Sequence, residues 1–448
     1  MDDRSERTSL PFIAHRGNLY HAVEVIPSLD KRRPVRKRKE TEARKPRRLR
    51  AKLLLILAGL LCALLVTEIF LRVIGFRNLN PYMTDADVGF SLRPGAEGWW
   101  RGEGETYIKI NSDGLRDREH SKTKPPDTLR IAVLGDSFTE ALDVQMEDAW
   151  WAVMEQRLQN CEAVAGRKVE VINFGVAGFS TARELITLRR RVWQYAPDIV
   201  VLNLTTINDI KDNSRVLNTE YATLPLPYFI YQGDQLVLDD SRLVVRNNSL
   251  YFRLQQTFLG SAMNWCRDHL RLVQLIDRAR IAYQQRKIRS QQANEQPNVQ
   301  REVEGWDINV YREPTDPAWS EAWRVTEGIL LLMRDEVQSK GVKFLVVTGT
   351  SGIQTNPDPA VRQAAMRSLG VDNFFYPDLR IKALGEREGF AVLNLAPTMQ
   401  EYAERNRVFL HGQGALTGYG HWNQAGNHLA GELVARKLCE EILAAHQH

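Results

Sequence analysis

Four short stretches of the 448-residue chain hold side chains that could carry out acyl chemistry together. The first runs from Ile131-Ala132-Val133-Leu134 into Gly135-Asp136-Ser137-Phe138-Thr139-Glu140. A serine hydroxyl attacks an acyl carbon only when a base removes its proton. Here Ser137 stands where a buried strand gives way to a small-residue turn and then a helix, whose amino end favours developing negative charge. The logic parallels the nucleophile elbow, although Gly-x-Ser-x-Gly itself is absent. The second stretch, Asn173-Phe174-Gly175-Val176-Ala177-Gly178-Phe179-Ser180-Thr181, offers a glycine whose backbone N–H can approach an oxyanion closely. Gly178 is preferred over Gly175 for that place. The third, Thr205-Thr206-Ile207-Asn208-Asp209, brings the Asn208 amide, a further oxyanion donor. The fourth, Gly418-Tyr419-Gly420-His421-Trp422-Asn423, presents His421 as the base, with Asn423 as N-cap of the last helix. His411 and His428 are weaker candidates, and Asp136 and Asp209 are expected to stabilise turns.

These four pieces, in this order, resemble the SGNH (GDSL-like) hydrolases, whose name lists Ser, Gly, Asn and His. The resemblance covers roughly Leu129 to His448, interrupted by an insertion. It implies a three-layer α/β/α, flavodoxin-like parallel sheet, Ser137 as nucleophile, Gly178 and Asn208 with the Ser137 N–H as oxyanion donors, and His421 as general base. Gly114-Leu115-Arg116-Asp117 and the His421-Trp422-Asn423 ending are similar to bacterial membrane-anchored members, and the His-Trp pair to proteins that acetylate exported polysaccharides. Two departures stand out. The family's acid two or three residues before the histidine is replaced by Tyr419 and Gly418, and the glycine of its third block by Thr206. With no acid at those places, the expectation is a Ser137–His421 dyad, its imidazole oriented by a carbonyl or an acid from elsewhere.

The elements that must position these residues are written in short apolar runs alternating with helical patterns. Strands are expected at Arg130–Leu134, Val169–Asn173, Ile199–Leu204, Lys343–Val347 and Ala391–Leu395. Helices are expected around 150–160, 182–194, 319–340, 379–388 and 424–445. An insertion at about 211–317 is far longer than an ordinary crossover. It is expected to open with a hairpin over Tyr228–Leu238, turning at Gly233-Asp234, and to continue as one amphipathic helix over Leu250–Gln285. Residues 77–128 read as a small β-rich preface and linker, with 129–448 as the catalytic domain. The pairs Trp99-Trp100 and Trp150-Trp151 suit packing and a membrane boundary better than sugar stacking.

Ahead of this lies a charge asymmetry. Lys31 to Lys52 holds 13 Lys and Arg against Glu40 and Glu42, a local charge of +11 in a chain of net +5. Leu53 to Thr67 is then unbroken apolar and small sequence, resuming after Glu68. Residues 53–74 are therefore expected to cross a bilayer, with 1–52 as a basic cytoplasmic tail and the rest periplasmic or extracellular at a bacterial inner membrane. Beside a span, the basic block serves topology and anionic lipid, and no nucleic-acid partner is expected. Cys62 is a membrane thiol, while Cys161, Cys266 and Cys439 permit one disulfide and exclude a disulfide framework. Without a phosphate loop or metal-ligand spacing, no cofactor or metal is expected. The expected function is a serine esterase or O-acyltransferase acting on an O-acylated envelope or exported glycan. The alternative is a non-catalytic SGNH-like binding or assembly protein of the envelope.

Overall fold

The computed structural model describes residues 45–164, 166–219, 221, 223–295 and 308–444, so most of the basic tail lies outside the described residues. The chain divides into two compact units, 1–62 and 63–448. Helix α1 (Lys45–Val73) carries the apolar stretch Leu49–Val73, whose 18-residue apolar window has a mean hydropathy of 2.7 and no residue buried in protein. At 1.5 Å per residue this is long enough to cross a bilayer.

The preface forms two antiparallel ribbons: β1 (Tyr82–Asp85) with β2 (Gly89–Leu92), and β3 (Glu97–Arg101) with β4 (Glu105–Lys109). Next come β5 (Thr128–Gly135), α2 (Ser137–Glu140), α3 (Trp150–Leu158), β6 (Lys168–Asn173), α4 (Thr181–Arg190), β7 (Ile199–Leu204) and α5 (Thr206–Asp212). The insertion contains the hairpin β8 (Tyr228–Gln232) and β9 (Gln235–Asp239), then α6 (Ser241–Asn247), α7 (Leu250–Gln255), α8 (Phe258–His269) and α9 (Arg271–Glu295). The single long helix expected here is broken, because Thr257 and Leu270 adopt extended backbone angles and start new helices. The remaining elements are α10 (Pro317–Ser339), β10 (Lys343–Thr348), α11 (Pro359–Leu369), α12 (Tyr376–Glu388), β11 (Ala391–Asn394), α13 (Ala396–Asn406) and α14 (Gln424–Lys437).

Five strands pair in parallel in the order β11-β10-β7-β5-β6. In order of appearance in the sheet this is the 2-1-3-4-5 arrangement of flavodoxin-like folds, and all five expected strands are in it. Every residue of β5, which pairs with β6 on one side and β7 on the other, is buried, and alternate side chains serve opposite faces. Ala132 and Leu134 join the cluster that includes Leu185 of α4 and Trp323 and Met333 of α10. Ile131 and Val133 join the cluster that includes Trp150 and Met154 of α3 and Val434 of α14. A disulfide between Cys161 and Cys439 ties the end of the α3 region to the chain's last turns. Ligand crevices in such sheets open where successive crossovers leave in opposite directions, here at the carboxyl ends of β5 and β7. The Ser137 and Asn208 turns both begin there.

Candidate active site

The Ser137 turn is built around Gly135, whose φ of +158° and lack of a side chain allow Thr139 to close over it. A Cβ there would lie 2.2 Å from Thr139 Oγ1. Asp136 is fully buried and caps α2 by accepting the Phe138 N–H at 3.0 Å. The same carboxylate accepts from Thr205 Oγ1 at 3.0 Å and from Asn208 Nδ2 at 2.9 Å. Asp136 therefore fixes the Asn208 turn against the Ser137 turn. Burial raises its pKa against these hydrogen bonds, which favour the charged form.

His421 Nε2 lies 2.8 Å from Ser137 Oγ, bringing together residues 284 apart in the chain. Phe138 packs on the imidazole, ring centroids 5.0 Å apart. Its loop is fixed by a relay in which Trp422 Nε1 donates to Thr350 Oγ1 at 2.8 Å, Thr350 lies 2.9 Å from His411 Nε2, and His411 Nδ1 lies 2.8 Å from the Gly420 carbonyl. Burial lowers the His411 pKa to about 4, so that ring is neutral and can donate from Nδ1 while accepting from Thr350. His411 is thus a strut of the loop. His428 pairs with Asp148 at 2.8 Å on the helix surface.

The expected dyad is corrected by the preface. Glu103, at the tip of the β3–β4 ribbon, lies with Oε1 2.9 Å from His421 Nδ1 and accepts the His421 backbone N–H on Oε2 at 2.7 Å. Asp143 Oδ2 is 3.5 Å from the same Nδ1. Its other oxygen accepts from Trp100 Nε1 at 3.0 Å and from the N–H groups of Glu103 and Gly104 at 2.9 and 3.2 Å, which shapes the tip. Gly420, at φ +74°, leaves room for the carboxylate, since a Cβ there would lie 2.2 Å from Glu103 Oε2. Burial alone would depress the imidazolium, but the hydrogen bond and charge of Glu103, with the charges of Asp143 and Asp136, outweigh it and raise the His421 pKa. Burial likewise opposes the Glu103 carboxylate, yet its bonds to His421 hold its pKa below the ordinary value. Sequence reasoning missed both acids. Glu103 is 318 residues from His421, and only its flanking glycines, Gly102 and Gly104, hint at a tip that must approach something closely.

The second turn places Gly178 in the left-handed region, φ +70°, where a Cβ would meet the Tyr221 hydroxyl at 2.5 Å. The Gly175 N–H is consumed by Asn173 Oδ1 at 2.8 Å, and a Cβ on Gly175 would strike the Thr139–Glu140 backbone. The Gly178 carbonyl accepts from Arg183 at 2.7 Å. The Arg183 guanidinium lies 4.0 Å from the ring centroids of both Phe90 and Phe179 and donates to the Val88 carbonyl, so the preface also braces this turn. Glu140 spans the same region, accepting from the Ala177 N–H and from the Tyr82 hydroxyl; burial pushes its pKa up to about 7. The resemblance's Gly114–Asp117 piece acts beneath: Arg116 donates to the Glu140 carbonyl at 2.9 Å and Asp117 accepts the Asn173 N–H at 2.9 Å.

Glu103, Asp143 and His421 offer possible ligand atoms within 4.8 Å of one another. With Nε2 facing Ser137, however, Nδ1 is the nitrogen that carries a proton toward Glu103, a base-and-acid arrangement that leaves no imidazole lone pair for a metal on that side.

No protein-family model and no curated protein matches the sequence. Among solved structures the chain is similar to an acetyl xylan esterase, AlAXEase (13% identity, TM-score 0.33, covering 68% of this chain and 97% of that one). It is also similar to TesA (15% identity, TM-score 0.30, 70% and 99%) and to a mutant acetylxylan esterase from Geobacillus stearothermophilus (13% identity, TM-score 0.32, 69% and 93%). The strand order and the distances above, rather than these scores, define the fold and the site.

Proposed function

We propose that the chain is a membrane-anchored serine esterase or O-acyltransferase whose catalytic residues are Ser137 and His421, with Glu103 as the orienting acid. The observation that carries this reading is the continuous line from Glu103 through His421 to Ser137, at 2.9 and 2.8 Å. As the Ser137 oxygen attacks the acyl carbon, its proton passes to His421 Nε2, and Glu103 stabilises the imidazolium through Nδ1–H. The oxyanion is held by the N–H groups of Ser137 and Gly178 and by the Asn208 amide hydrogen that Asp136 does not use. His421 then protonates the leaving alkoxide, leaving acyl-Ser137. Water or a sugar hydroxyl attacks that ester, its proton goes to Nε2, and the proton returns to Ser137 as the bond breaks.

The substrate class is an O-acylated glycan of the envelope or an exported one, a reading supported by the resemblance of the His-Trp-Asn ending and by placement outside the cytoplasm. The apolar α1 behind a basic flank supports that placement, as does the Cys161–Cys439 bridge, since disulfides persist in oxidising compartments. The rival non-catalytic reading drew on a missing acid, and a Glu103 carboxylate 2.9 Å from His421 Nδ1 weighs against it. A fluorophosphonate probe applied to the detergent-solubilised full chain tests the proposal. Labelling that disappears in Ser137→Ala supports it, and a folded wild-type sample that resists the probe overturns it.

A further inference from the structure

The insertion is joined to the outer end of the apolar helix by a specific corner. The Glu68 carboxylate accepts the first two N–H groups of α9, from Arg271 at 3.0 Å and Leu272 at 2.9 Å. Arg72, bonded to Glu68 at 2.8 Å, donates to the carbonyl of His269, the last residue of α8, at 2.6 Å. Glu68 lies one turn, about 6 Å, before Arg72 along the helix. Around it Ile69, Phe70 and Val73 are exposed and apolar. The α8–α9 corner is therefore held at the level of apolar surface.

From that corner α8 and α7 present Tyr251, Leu254, Phe258, Leu259, Met263 and Trp265 as exposed side chains, with Phe258 84% accessible. Within α8, Phe258 and Trp265 are seven residues apart and Leu259 and Met263 four apart, so these side chains share one side of the helix, and Gly260 lets α8 touch the Gln255 backbone at the end of α7. Residues 250–280 carry five arginines against Asp268 and Asp277, a net charge of +3. Bulky apolar side chains with flanking arginines, on a helix that ends beside a span, are the composition of an interfacial membrane surface. The corner is not loosely attached to the catalytic unit. Asp268 pairs with Arg93 at 2.6 Å, Asn78 N–H donates to Gln274 at 3.1 Å, and Arg246 of α6 donates to the Gly89 carbonyl at 2.6 Å.

From this we infer that α7 and α8 lie in the headgroup region of the bilayer that α1 crosses, as a second membrane contact of the insertion. The inference rests on α1 being a span. Its occupant is the phospholipid surface, argued from continuity with the apolar helix at Glu68 and from the positive charge. Two contacts, span and platform, set the orientation of the catalytic unit over the membrane.

The test is spin labelling of the full chain in nanodiscs containing anionic lipid, with Cys62 and Cys266 replaced by serine and the disulfide kept. Labels at Phe258→Cys and Met263→Cys are compared with Leu57→Cys in the span and Glu386→Cys on the exposed catalytic surface. Expected is greater accessibility to oxygen than to a water-soluble nickel reagent at 57, 258 and 263, with the reverse at 386. Lipid exposure at 57 with water exposure at 258 and 263 overturns the platform alone. Water exposure at 57 overturns the anchor as well. Labels at 258 and 263 shielded from both reagents show a protein partner or second copy on this face, and also overturn it.

Discussion

Replacing Glu103 by glutamine separates the acid's electrostatic role from its shape. The imidazolium formed during attack lies 2.9 Å from the carboxylate, which at an effective dielectric constant near 20 corresponds to about 6 kcal/mol of attraction. Both side chains are one quarter exposed, so solvent screening reduces this to about 3 kcal/mol, or roughly a hundredfold in kcat. Asp143, at 3.5 Å, retains part of the field, and Glu103→Gln with Asp143→Asn together should fall further, by about a thousandfold or more. The pH profile supplies an independent reading. His421 must be neutral to accept the serine proton, and its pKa is raised, so activity should be lost as pH falls through a value above the ordinary histidine range. Removing the Glu103 charge lowers that pKa and moves the acid limb to lower pH. The assay is hydrolysis of a p-nitrophenyl acetate series by the solubilised full chain, with folding checked by circular dichroism. A Glu103→Gln protein with kcat within about threefold of wild type and an unmoved acid limb refutes the reasoning.

Two further outcomes follow from the same geometry. Gly420→Ala forces a side chain into the left-handed region and against the Glu103 carboxylate, so kcat should fall by about a hundredfold while the thermal midpoint drops only slightly, as measured by single-turnover kinetics alongside calorimetry. Breaking the Cys161–Cys439 bridge with paired serines removes a cross-link 278 residues apart in sequence and should cost about 2–5 kcal/mol, seen as a fall of several degrees in Tm that reducing agent reproduces in the wild-type protein.

Much of the fold was legible because its cues are local. The strand at Thr128–Gly135 is an apolar run too short and too β-branched for a helix and ended by glycine. Asn423 announces the start of α14, and the Gly233 turn marks its hairpin. Where competing local cues decide, the reading failed: the apolar periodicity of 250–285 suggested one helix, but Thr257 and Leu270 break it. Helices α11 and α13 went unread because Pro359 and Pro397, which suit the first turn of a helix, also read as loop punctuation.

The sequence by itself determined the alternating α/β order, the apolar N-terminal helix behind its basic flank, the serine block at a strand end and the histidine block before the last helix, since each is written in neighbouring residues. Only the tertiary structure decided which acid meets His421. Glu103 reaches it across 318 residues because the tip of a ribbon outside the sheet is held by Asp143, which accepts from Trp100, Glu103 and Gly104 beside the Ser137 turn, and no periodicity or spacing encodes an encounter made by packing.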